Sequence, residues 1–108
     1  MENDLAFAIY DRYPVSVGHM LIIPKRHLPS YFDITTEERL SIFALVDDCR
    51  LMLQAKFNPN GYNIGINDGE AAGQSVWHCH VHLIPRYFGD VDNPRGGVRG
   101  AIPEKRIY

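Results

Sequence analysis

The segment His78-Cys79-His80-Val81-His82-Leu83-Ile84 alternates a histidine with a small or apolar residue. Successive side chains of an extended chain point to opposite faces, so this alternation predicts a β-strand with two unlike surfaces. Cys79, Val81 and Leu83 would sit on a core, while His78, His80 and His82 stand in a row on the other face. Three of the chain's five histidines presented together point to a reaction site. A purely structural role would need a separate hydrogen-bond partner for each imidazole.

Spacing bears on whether such a row could hold a metal. On a regular strand the backbones of His78 and His82 lie about 13 Å apart. A histidine nitrogen bonds zinc at about 2 Å, which places the ion within roughly 6 Å of each Cβ. The outer two histidines therefore cannot easily share one ion. An adjacent pair could, with a third ligand from elsewhere, and His19, His27, Cys49 and Cys79 are the candidates outside the row. No Glu-rich constellation stands nearby.

Directly upstream lies Asn67-Asp68-Gly69-Glu70-Ala71-Ala72-Gly73-Gln74-Ser75, rich in small residues. Gly73 permits a positive φ or close backbone approach. Consecutive N–H groups in such a turn can form an anion-binding nest, with Gln74 and Ser75 adding side-chain donors. Asn, Asp and Gly also make ordinary turns. Placed immediately before three aligned histidines, the loop reads as a candidate phosphate cradle.

The remaining sequence reads as one α+β domain over residues 1–108, with a Gly- and Arg-containing tail from 89 to 108. A chain of this length buries roughly two-thirds of its unfolded surface, enough for one core. A net charge of −2 gives no general reason to expect nucleic-acid or membrane binding. Two scattered cysteines do not make a disulfide framework, so a reducing, cytoplasmic setting is expected. No secretory leader pattern or bilayer-length apolar run is seen.

Strands are expected over residues 5–10, 19–23, 62–67 and 77–86, with Pro14 and Gly18 punctuating the first turn. Thr35-Thr36-Glu37-Glu38 is a capping-box pattern, and Leu40, Phe43, Ala44, Leu51 and Phe57 continue at approximately helical spacing. Asn58-Pro59-Asn60-Gly61 would end that helix.

The stretch from Gly73 to Arg86, reading GQSVWHCHVHLIPR, closely resembles the signature of the histidine triad (HIT) family of nucleotide hydrolases and transferases. Ala8-Ile9-Tyr10-Asp11, Pro14, Gly18-His19 and the run from Leu21 to His27 resemble the family's N-terminal half. The resemblance covers about residues 5 to 88. It implies a HIT-like fold, an antiparallel sheet of about five strands with one long helix, extended across a homodimer. His80 would attack the α-phosphorus of a nucleotide, forming a nucleotidyl-histidine that water then releases as a nucleoside monophosphate. The backbone carbonyl of His78 would fix the tautomer of His80, and His82 would bind a phosphoryl oxygen. Gln74 and Ser75 would contact the phosphate bridge and leaving group, with Gly73 and Asn67 completing the cradle. Asp11 would bind the ribose hydroxyls, and Ile9, Tyr10 and His19 would line the base and ribose side.

Dinucleoside polyphosphates are the expected substrates, because Leu83-Ile84-Pro85-Arg86 resembles the branch that splits them. Nucleoside phosphoramidates and a non-catalytic nucleotide-binding module are the alternatives. No Walker loop is present, which argues against a P-loop ATPase. The resemblance implies no required cofactor, although a divalent cation could accompany a polyphosphate. Many prokaryotic relatives join histidines matching His27 and His78 to an upstream Cys-x-x-Cys in a structural zinc site; the pair is absent here, so no structural zinc is expected. In the tail, Arg95 or Arg99 would close over a polyphosphate or a partner subunit, or else the tail is a solvated, partly mobile terminus.

Overall fold

Four strands make one antiparallel sheet in the computed structural model, which describes residues 1–108. They are β1 (Ala6–Tyr10), β2 (Met20–Pro24), β3 (Gly61–Gly65) and β4 (Val81–Arg86), in the spatial order β1-β2-β4-β3. The expected fifth strand is absent. The N-terminal segment folds back on β1 through Asn3, whose side chain accepts from the Ala6 N–H, and makes only one bridge, Glu2 to Phe7.

Alternation along the strands sorts the side chains into two layers. Ala6, Ala8, Met20, Ile22, Val81 and Leu83 are buried on one face, and helix α1 (Thr36–Phe57) covers them with Ile42, Leu45, Val46, Cys49 and Leu53. The opposite face carries Ile9, Leu21 and His82, which lie side by side across β1, β2 and β4. The β1–β2 turn is held against α1 at Gly18, where φ is +90° and a Cβ would press on Phe57 and Leu53.

The start of α1 follows the sequence reading: Thr35 Oγ1 accepts from the Glu38 N–H at 3.1 Å, and Glu38 Oε1 accepts from the Thr35 N–H at 2.8 Å. At the other end Asn58 adopts a left-handed conformation, φ 50°, and donates its N–H to Gln54. The face is a different matter. Leu40, Phe43, Ala44 and Leu51 point to solvent, and of the expected stripe only Phe57 packs against the core. Apolar residues occupy both sides of this helix, so periodicity alone could not choose between them.

Glu38 is buried and also receives the Arg26 guanidinium, Nη2 to Oε1 at 2.8 Å and Nε to Oε2 at 3.1 Å. These bonds hold its carboxyl down to about 2, Arg26 contributing most and the Thr35 N–H next. Glu38→Ala is expected to cost about 2–3 kcal/mol, because a cap and a charge-assisted pair are lost together. Since folding depresses this carboxyl from its ordinary 4.5, its stabilisation is complete above that pH and is lost as pH falls towards 2. Urea unfolding of both proteins from pH 7 to pH 2.5 checks this: the gap should narrow with acidification, and a pH-independent gap would contradict it.

Beyond β4 the tail is ordered into two 3₁₀ turns, Gly97–Ala101 and Pro103–Lys105. Arg106 Nη1 donates to the carbonyls of Asn93 and Arg95, both at 2.6 Å. Arg95 and Arg99 lie over the ring of Tyr108 at 5.2 and 4.6 Å. In this chain the tail's arginines thus contact the tail itself, and most of its residues are exposed.

Candidate active site

β4 begins only at Val81, so His78 and His80 precede it in irregular chain rather than in the regular strand expected from residue 77. This divides the histidine row. The rings of His80 and His82 stay together, 5.0 Å between centroids. His78 turns away to meet His27, with ring centres 4.6 Å apart.

Hydrogen-bond partners that can only donate or only accept assign the protons. His80 Nδ1 lies 2.9 Å from the His78 carbonyl, which only accepts, so Nδ1 carries the proton and Nε2 a free lone pair. The assignment for His82 runs through His19. The Val15 N–H donates to His19 Nδ1 at 3.1 Å, leaving the neutral ring's proton on Nε2. His19 Nε2 then donates to His82 Nδ1 at 2.9 Å, which puts the His82 proton on Nε2. Two adjacent imidazoles thus hold opposite tautomers. Burial pushes the pKa of both His19 and His82 below the usual histidine range, with the Asp11 carboxylate opposing it in each case. Both rings therefore stay neutral near pH 7.

His78 has a supporting position. Its Nε2 donates to the Pro24 carbonyl at 2.8 Å, so its Nδ1 accepts from His27 Nδ1 at 3.0 Å. What it offers the site is its backbone oxygen.

The other expected residues divide sharply. Ile9 lies opposite Leu21, and Leu21 opposite His82, on the triad face. Tyr10, the next residue, must take the other face; its ring sits beneath the Lys56 ammonium at 5.6 Å, away from the triad. Asp11 Oδ1 accepts from the Tyr13 N–H, while Oδ2 lies 3.5 Å from His19 Nε2. His19 is buried at 2 % exposure, so it acts on the site through His82 more than by forming an open wall.

Gln74 is also buried, and its amide is fully engaged: Oε1 accepts from Gly69 N–H, while Nε2 donates to the carbonyls of Pro29 and Val76. It shapes the loop and has no donor left for a phosphate. The Gly73 and Gln74 N–H groups likewise bond within the turn, to Glu70 and Gly69. Gly73 does adopt the positive φ anticipated, 92°. Ser75 and Asn67 are exposed, and Asn67 lies beyond the end of β3, in the loop.

Sequence reasoning missed the Val15 amide, the Pro24 carbonyl and Asp68, which anchors the loop by accepting from Ser30 Oγ and the Tyr31 N–H. Backbone groups carry no residue signal, and Asp68 reads as a turn residue. A cavity of about 350 Å³ opens beside His82, with Asn67, Ile84 and Val98 among its walls. The largest cavity, about 570 Å³, contains no triad histidine and lies along β3 and Arg86.

Two histidine clusters invite a metal. Asp11, His19 and His82 hold ligand atoms within 4.8 Å of one another. Binding through His19 Nε2 would force its proton onto Nδ1, against the Val15 N–H, so the bonding suits a proton-ordered relay better than a cation. His27 and His78 supply two nitrogens where structural zinc takes four ligands. Cys79 lies on the core side, its thiol pushed by burial up to about 11. The residues present do not fit such a zinc site. No helix is long and apolar enough to cross a membrane.

Comparison with known proteins identifies the family. The HIT domain model matches residues 1–89. A HIT-like protein of Mycoplasma pneumoniae is 41% identical over 86 residues, covering 80% of this chain and 60% of that one. The bis(5'-adenosyl)-triphosphatase of Dictyostelium discoideum is 38% identical over 91 residues, covering 84% of this chain and 61% of its own length. The crystal structure of a HIT family protein from Bacillus anthracis superposes with a TM-score of 0.79 at 42% identity, covering 83% of this chain and 64% of the other. The chain thus spans about six-tenths of the length of these relatives. With the triad, its supporting carbonyl and the family match over most of its length, the chain belongs to the HIT domain family.

Proposed function

We propose that the protein hydrolyses nucleotide conjugates at the α-phosphate through a nucleotidyl-histidine on His80, with dinucleoside polyphosphates as its first substrates. The observation carrying this reading is the pair of opposite tautomers, a lone pair on His80 Nε2 beside an N–H on His82 Nε2. The His80 lone pair forms an N–P bond as the P–O bond to the departing phosphate breaks, its electron pair leaving on that oxygen. A departing phosphate is stable as an anion and needs no proton. His80 becomes an imidazolium, and its Nδ1–H bond to the His78 carbonyl strengthens as charge develops. His82 Nε2–H donates to a non-bridging oxygen, where negative charge gathers in the transition state. Water then forms the new P–O bond, the N–P electrons return to His80, and the water proton is lost to solvent.

In this reading Asp11 takes the ribose hydroxyls through its free oxygen, Ile9 lines the base side, and Ser75, Gly73 and Asn67 border the phosphates. The name of the Dictyostelium relative supports the substrate class. This reading routes no step through a protein-bound metal. The test is a single-turnover reaction with diadenosine tetraphosphate, quenched in alkali, where an N–P bond survives. The peptide spanning residues 73–86 should gain an adenylyl group on His80. Release of AMP without that adduct at any time point would remove the covalent step.

The protein is also inferred to be a homodimer. β3 leaves one sheet edge unpaired, and exposed Leu51 and Ile64 flank a groove between α1 and that edge. An open edge beside an apolar surface favours pairing with a second copy. Sedimentation should give a dimer for the wild type and a monomer for Leu51→Asp; a monomeric wild type would refute it.

A further inference from the structure

We infer that Asp68 is a positioning residue for the reaction: it fastens the loop before the triad to the Pro24–Tyr31 segment, and so fixes Asn67 and Ser75 beside the phosphates. This deepens the His80 reading and rests on it. Apart from the His80 bond to the His78 carbonyl, every hydrogen bond that leaves residues 67–79 ends on that segment. His78 Nε2 donates to the Pro24 carbonyl at 2.8 Å, and His78 Nδ1 meets His27 at 3.0 Å. The Cys79 N–H donates to the Leu28 carbonyl at 2.7 Å, and Gln74 Nε2 to the Pro29 carbonyl at 2.8 Å. Asp68 accepts from Ser30 Oγ at 3.0 Å and from the Tyr31 N–H at 2.8 Å. The two runs are antiparallel: as one advances from Pro24 to Tyr31, the other retreats from the triad to Asp68.

The supporting segment is itself fixed. Pro24 belongs to β2, Leu28 and Ile34 are buried, and Arg26 reaches both the Asp33 carbonyl and the Glu38 carboxylate. The loop it supports is held unevenly. Gln74, His78 and Cys79 secure the second half, which carries the carbonyl that orients His80. Residues 67–73 have one direct attachment to the segment, the Asp68 carboxylate. Their remaining bonds stay inside the loop, between Gly69, Glu70, Ala72, Gly73 and Gln74.

Asn67 is exposed and makes no hydrogen bond of its own, so its place beside His82 follows from its neighbour Asp68. A hydroxyl and an amide N–H converge on Asp68, and only a side chain with a well-placed acceptor oxygen meets both. Released at this point, the loop would let Asn67 and Ser75 drift while the bond between His80 and His78 stayed intact. Groups that face charge developing on the phosphates act on the rate of bond breaking more than on affinity.

The test is the rate of adduct formation on His80 in single turnover with diadenosine tetraphosphate, for three substitutions of Asp68. Asp68→Ala should be slower than the wild type by about tenfold to a hundredfold, the scale set by misplacement near an ångström. Its half-saturating nucleotide concentration should change less than about threefold. Asp68→Asn keeps an acceptor in place without the charge, and should stay within about threefold of the wild-type rate. Asp68→Glu keeps the charge but displaces the acceptor by a methylene, and should be slowed about tenfold. Melting curves establish that each variant is folded, and the comparison of Asn with Glu carries the test if the alanine protein is not. An Asn variant as slow as the Glu variant, or a Glu variant at the wild-type rate, overturns the positioning role and leaves His80 catalysis standing. Absence of the adduct in the wild type overturns both.

Discussion

His80→Ala is expected to lower kcat for a dinucleoside polyphosphate by about a thousandfold or more, since no other group can form the N–P bond. Its Kd for the same nucleotide should change less than about fivefold, because binding is spread over Asp11, Ile9, His82 and the loop. Loss of the bond to the His78 carbonyl costs about 1–3 kcal/mol, less than the stability of an ordinary domain, so the variant should remain folded. The adduct on the 73–86 peptide should vanish with turnover. A variant that keeps wild-type kcat, or loses activity only through Kd, would defeat nucleophilic catalysis by His80. Near-stoichiometric AMP release by the wild type would instead favour a binding module.

His19→Phe should have the next largest effect, about a hundredfold in kcat with a smaller change in KM. The substitution fills the buried site but removes both the acceptor for the Val15 N–H and the donor to His82 Nδ1. His82 would then be free to place its proton on Nδ1 and present a lone pair to the phosphoryl oxygen. His19→Gln should recover much of the loss, because one amide supplies an acceptor and a donor at the same two ends. A merely structural role for His19 would show in the melting temperature and would not separate the two substitutions. A Phe variant with near-normal kcat would show that the His82 tautomer does not matter.

Which features could be read in advance follows from how local they are. The cap at Thr35 and Glu38 depends on four consecutive residues and formed as read. Cys79, Val81 and Leu83 are buried, as strict alternation with histidine implied. The helix stripe failed because Leu40 and Leu51 are as apolar as Ile42 and Leu53, and only the sheet decides which row it covers. Tyr10 failed for a simpler reason: a strand cannot send Ile9 and its neighbour to one face. Gln74 carries the right donors for a phosphate, but the loop carbonyls of Pro29 and Val76 already take them.

The sequence by itself determined the chemistry available here, a histidine-based α+β unit with a small-residue loop before the triad, because residue type and strand period are local properties. Only the tertiary structure decided how the histidines divide their work. The Val15 amide, the His78 carbonyl and the Pro24 carbonyl set each tautomer from distant points of the chain, and none of them depends on side-chain identity. The tail's placement is likewise tertiary: Arg95 and Arg99 lie over Tyr108, and a valine rather than a cation lines the cavity beside His82.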